Sequence, residues 1–192
     1  ANSDAVNKIA QEILKSKQVK AAMELLKESD TRAVDPSNLT TEQLKELNIR
    51  MAQFIEDVRT KFGTFSPTMI RVSEESVNLS KLIGETYKNA IRKAAGNTNP
   101  TVWNAAELGH LKSSETVGAN LTKAGYNTTA APIRMETLAY SPETDMTTMG
   151  ELKAEVYNSM IRWLYDDELS DWGHWFLGVN ITYSPPCRLK NS

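Results

Sequence analysis

A local capping signal followed by an unbroken apolar stripe constrains this chain more than any other feature. Thr40-Thr41-Glu42-Gln43 places a glutamine three residues after a threonine. In that arrangement each side chain can bond the other residue's backbone N–H. Behind it Leu44, Leu47, Met51, Phe54, Ile55, Val58 and Phe62 recur at three- and four-residue intervals, and Gly63 supplies a stop. The spacing predicts a helix over 41–62 that must bury one face against another element.

Other segments follow the same logic. Residues 4–28 carry Val6, Ile9, Ile13 and Leu14, then Val19, Ala22, Leu25 and Leu26, diluted by Lys, Gln and Glu. They read as one broken or two short amphipathic helices, with a stripe thin enough either to pack on the domain or to continue an upstream coiled coil. Asp30 to Leu39, containing Asp35-Pro36-Ser37-Asn38, reads as a connector. Ser73 caps a helix over about 74–95 that presents Val77, Leu79, Leu82, Ile83 and Tyr87 to a core, and a modest helix around 113–124 stops at Gly125. Thr148 and Glu151 form a second capping box. The helix they open runs to about Tyr165 and buries Leu152, Val156, Met160, Trp163 and Leu164.

Three short runs have strand character: 68–72, 133–139 with Ile133, Met135, Thr137 and Ala139 on one face, and about 175–183, ended by Pro185-Pro186. A few short strands among helices predict an α/β (α+β) chain with a small sheet and helices packed on it. The domain boundary falls after the connector, giving an N-terminal helical segment or stalk end at 1–37 and a folded domain at 38–192.

Composition excludes several classes. A formal charge of −2 with no basic run argues against nucleic acid as the main partner, because phosphate binding needs a concentrated positive surface. No apolar run approaches the roughly 20 residues of a membrane span. One cysteine, Cys187, rules out an internal disulfide framework and a cysteine-based zinc cluster, so cysteine usage does not identify the compartment. The chain starts Ala-Asn-Ser, which reads as a fragment of a longer protein. No Gly-x-Ser-x-Gly nucleophile motif and no glycine-rich phosphate loop occurs.

Histidine is scarce, and its placement suggests chemistry. Asp171-Trp172-Gly173-His174-Trp175-Phe176-Leu177 delivers one of the two histidines onto an apolar run after a turn, and the other, His110, also follows a glycine. Neutral imidazole ligates zinc or carries protons near pH 7, whereas in the plain structural reading each histidine closes a turn or faces solvent. Glu136 lies between Met135 and Thr137 on a strand candidate, where a buried carboxylate needs a partner such as histidine. Trp103, Trp163, Trp172 and Trp175 suit either a core or the wall of a groove.

The order of these elements resembles the CAP superfamily, the cysteine-rich secretory, antigen-five and pathogenesis-related domains. Glu136-Thr137-Leu138 stands where such domains have Glu-Asn-Leu, and Gly173-His174 where they have Gly-His. The likeness is greater to the surface-exclusion proteins of Gram-positive conjugative plasmids. It is carried by Leu44-Lys45-Glu46-Leu47-Asn48 through Val58-Arg59-Thr60-Lys61-Phe62-Gly63, by Leu152-Lys153-Ala154-Glu155-Val156-Tyr157-Asn158-Ser159, and by Ser170-Asp171-Trp172-Gly173-His174. The resemblance covers about 38–183.

It implies a three-layer α-β-α sandwich with a small, mainly antiparallel central sheet, preceded by the N-terminal helices. It also implies a cleft with two histidines and two glutamates able to bind a divalent metal. His110, Glu136 and His174 match three of the four; the fourth falls near Tyr157 or Asn158. Glu155 is offset from there by two residues, which turns a side chain by about 200°.

Two functions of different class follow. The resemblance implies an extracellular module on the cell surface, attached to the cell wall in the full-length protein. It would meet cell-wall components or another surface protein and limit aggregation or conjugative transfer. The alternative is a metal-dependent hydrolase, most naturally a protease, in which His110 and His174 hold a divalent ion such as zinc and Glu136 acts as base. Two protein ligands are fewer than the three usual for catalytic zinc, so a tightly and permanently held metal is not expected. Lipid or sterol binding is a third reading that the aromatic residues permit.

Overall fold

The computed structural model describes residues 3–62, 70–96, 107–130, 138–139 and 145–165. Its elements are α1 (Ser3–Leu14), α2 (Lys17–Ser29), α3 (Thr41–Phe62), α4 (Glu74–Ala94), a π-helical turn (Ser114–Gly118), α5 (Ala119–Ala124) and α6 (Met149–Tyr165). Among the described residues there is no strand; isolated bridge residues, such as the antiparallel pair Ala33 and Thr148, are the nearest approach to a sheet.

The expected α/β class, a three-layer α-β-α sandwich with a small central sheet, is therefore overturned: the described residues are helical. Residues 70–72, the described end of the first strand candidate, pair with no strand. Instead the Ile70 N–H donates to the Glu56 carboxylate at 2.6 Å, and the chain turns at once into the cap of α4. Leu138 and Ala139 are likewise outside any strand, while 133–137 and 175–183 lie outside the described residues. An alternation five to seven residues long is a weak signal, and the local capping chemistry on the helices outweighs it.

The chain divides into two compact units, the first drawn from Ala1–Arg71 and Glu143–Tyr183, the second from Val72–Pro142 with the last nine residues. In the first, α6 is the central element, packed on α1, α2 and α3. The break between α1 and α2 is a cap: the Ser16 hydroxyl accepts from the Val19 N–H at 3.3 Å. Helix α3 opens with the expected capping box, Thr40 N–H to Gln43 Oε1 at 3.0 Å and Gln43 N–H to Thr40 Oγ1 at 3.2 Å. Helix α6 opens on Thr148, whose hydroxyl accepts from the Glu151 N–H and donates to the Glu151 carboxylate. Leu47, Met149 and Leu152 form the core, joined by Val34, Leu39, Met146 and Val156. Each fully buried aliphatic side chain of this kind stabilises by about 1.5–3 kcal/mol.

The start of α6 abuts the end of α2. Met149 N–H donates to Arg32 C=O and Gly150 N–H to Asp30 C=O, both at 2.8 Å. A helix begins with N–H groups that lack partners, and here two of them are satisfied by the C-cap residue of α2 and by the segment just beyond it. A side chain at 150 would not fit, because a Cβ there would stand 2.5 Å from the Leu26 carbonyl oxygen and 2.6 Å from those of Lys27 and Asp30.

In the second unit, Ser73 caps α4 in a box with Ser76, and Leu79 of α4 meets Val117, Leu121, Ala124 and Tyr126. Helix α5 ends as the sequence predicts. Gly125 adopts φ +113°, Tyr126 N–H reaches back to Leu121 C=O at 3.0 Å, and the rings and chains of those two residues share the core. Before it, Gly118 N–H bonds Ser113 C=O at 2.7 Å, closing the π turn. The buried Asn120 amide donates to Thr116 C=O and to the Thr86 hydroxyl.

Candidate functional site

His110 is the one expected site residue that the described structure contains. It sits exposed in the second unit, directly after Gly109 at φ +56°, a conformation that glycine adopts without strain. The next residue is anchored, Leu111 N–H donating to the Tyr87 hydroxyl at 3.1 Å. Glu136 and His174 lie outside the described residues, as do Cys187, Trp103, Trp172 and Trp175. Glu155 is half-buried on α6. Among the described residues no group of three or more His, Cys, Asp or Glu side chains is placed to hold a metal ion. Nor is any helix among them long and apolar enough to cross a membrane.

A concave surface lies in the first unit. Helices α2, α3 and α6 enclose an open groove of about 330 Å³. Leu25 and Leu26 line it from α2, Met51 and Phe54 from α3, and Val156, Tyr157 and Met160 from α6. Amphipathic spacing on three helices explains the apolar lining, since each contributes the edge of its buried stripe. Leu25 remains 67% exposed at the rim. Phe54 and Tyr157 meet edge to face, ring centroids 5.9 Å apart at 90°. Burial pushes the Tyr157 hydroxyl above the usual phenol range, so that group is neutral at physiological pH.

Arg50, Gln53 and Asp57 on α3 and Lys153 on α6 give the groove its polar edge. Lys153 is fixed by two carboxylates, Asp30 at 2.7 Å and Glu46 at 2.9 Å, and Arg32 bridges the same two at 2.6 Å each. The four charges alternate in sign, and the inner pair, Asp30 and Lys153, is only 11% exposed. Hydrogen bonds from Arg32, then Lys153, hold Asp30 far below the ordinary carboxylate range and lower Glu46 as well. Desolvation opposes both shifts and loses, because the donors are charged and short-ranged.

This arrangement can bind; among the described residues it assembles no nucleophile with a base. Sequence reasoning missed Gly150 and the Asp30–Arg32–Glu46–Lys153 set. Glu46 and Lys153 fall inside the predicted helices 41–62 and 148–165, but nothing in their spacing shows that they meet. Comparison with protein-family models, curated proteins and solved structures gives no match in any of the three.

Proposed function

We propose that this chain is a cell-surface interaction module of the surface-exclusion kind, limiting aggregation or conjugative transfer between cells, and that the groove between α2, α3 and α6 is its working surface. One observation carries the reading: an open, largely apolar groove with Leu25 exposed at its rim. Exposed leucine beside a concave apolar surface is what a binding site presents before its partner arrives.

The sequence resemblance supports the same surface. Its first two stretches, Leu44 to Gly63 and Leu152 to Ser159, supply most of α3 and the middle of α6, the helices that form two walls of the groove. The kinship proposed here rests on those stretches and does not bring the sandwich fold with it. Extracellular placement belongs to the same proposal.

The test is a mating assay between plasmid-bearing donors expressing the full-length protein. Deletion of this region, and Leu25→Glu within an intact region, are each expected to raise donor-to-donor transfer. Transfer unchanged by the deletion overturns the reading. Transfer raised by the deletion but not by Leu25→Glu moves the function off the groove.

A further inference from the structure

The exposed side of α3 carries an ordered row of charges. At 100° per residue, Glu46, Arg50, Asp57 and Lys61 fall within an arc of about 60°, with Gln53 beside them in the middle. Along the helix the row reads acid, base, glutamine, acid, base over about 22 Å. Arg50, Gln53, Asp57 and Lys61 are exposed; Glu46, 38% exposed, already pairs with Arg32 and Lys153 of its own chain and keeps only part of its surface for a partner, so Arg50 and Asp57 carry the pattern. Arg50, Asp57 and Lys61 form no ion pair among the described residues. Its middle three residues, Arg50, Gln53 and Asp57, line one edge of the groove, and Ile49, 39% exposed, borders the row on its other side.

Such a row is complementary to itself when reversed. We propose that the partner at this surface is a second copy of the chain, its α3 lying antiparallel to the first about a two-fold axis beside Gln53 and Phe54. That axis sets Arg50 against Asp57 of the second copy and Lys61 against its Glu46, each twice by symmetry. The two Gln53 amides meet near the axis, where each can donate to and accept from the other. A parallel pairing would stack like charges at all four positions, so the pattern selects the orientation. Exposed Ile49 and Leu25 then lie within the covered area and supply apolar burial that charge pairs at a surface do not. The inference rests on the groove being an interaction surface and names what occupies it.

Sedimentation velocity of the purified chain tests this without cells. A dimer is expected at a concentration on the order of 100 µM, weakening as salt is raised. Asp57→Arg places like charges against each other twice and is expected to weaken the dimer by roughly tenfold or more. Arg50→Asp does the same. The double variant Arg50→Asp with Asp57→Arg restores opposite signs and is expected to recover the dimer. Circular dichroism checks that each variant retains its helices. A chain monomeric throughout that range, or a dimer indifferent to the single charge reversals, overturns the proposal. The mating assay is independent: exclusion lost on deletion while the purified chain stays monomeric would remove the second copy as the occupant and leave the module reading in place.

Discussion

Gly150 presents its backbone N–H to the carbonyl oxygen of Asp30 at 2.8 Å, joining the first turn of α6 to the end of α2. The contact is possible because position 150 has no side chain, with three carbonyl oxygens within 2.6 Å of where a Cβ would sit. All three are backbone atoms of another element, so they cannot swing aside. Gly150→Ala is therefore expected to destabilise the first unit by about 2–3 kcal/mol. That outcome runs against intrinsic helix propensity, which favours alanine over glycine by up to about 1 kcal/mol. Urea unfolding measures it; a variant as stable as the parent would show that the two helices do not approach this closely.

Lys153 is the charge that the inner network can least do without. Lys153→Met keeps the stem but leaves Asp30, 11% exposed, without one of its two cationic partners. A cost of about 1–2 kcal/mol is expected, between an exposed pair and a fully buried one. Arg32 is 59% exposed on its side chain, and Arg32→Met is expected to cost less than Lys153→Met. The ranking is read from chemical denaturation of the two variants side by side.

Acid is expected to weaken the first unit through the same residues. Asp30 and Glu46 both have folded-state pKa values below their ordinary ones. Their contribution is fully present above the unfolded values of about 3.9 and 4.3 and is lost as pH falls below them toward the folded values. Thermal midpoints should accordingly hold between pH 7 and pH 5 and fall below about pH 4. Asp30→Asn, which cannot titrate, should start lower at pH 7 and lose less on acidification. Parallel curves for the two proteins would remove Asp30 from the account.

Much of the helical skeleton is legible in the sequence because its punctuation is local. Thr40 with Gln43, Ser73, Gly125 and Thr148 with Glu151 all act where the residue order says they will, since each bond spans three to five residues. The absence of a sheet from the described residues is illegible for the opposite reason. A run such as 68–72 has no means of showing whether a neighbouring strand exists, and the Ile70 amide is taken by Glu56 instead. The ion network is invisible for a related reason: Asp30 and Lys153 are 123 residues apart, and no spacing rule connects them. Gly150 reads in sequence as a weak point in a helix, and only the carbonyls of α2 explain it. Of the expected site, His110 is described and exposed, and Glu136 and His174 lie outside the described residues.

The loop that carries His110 depends on Tyr87. Its hydroxyl, on a side chain 6% exposed, accepts the Leu111 N–H at 3.1 Å one residue after the histidine. Tyr87→Phe retains the ring and its burial but strands that amide, at an expected cost of about 1 kcal/mol. The loss should be local. Hydrogen exchange at Leu111 is expected to accelerate roughly fivefold, the same energy expressed as an opening equilibrium, while amides in α6 keep their rates. Equal acceleration in both units would mean that Tyr87 supports the whole fold and not the loop; no change at Leu111 would mean that this hydrogen bond does not form.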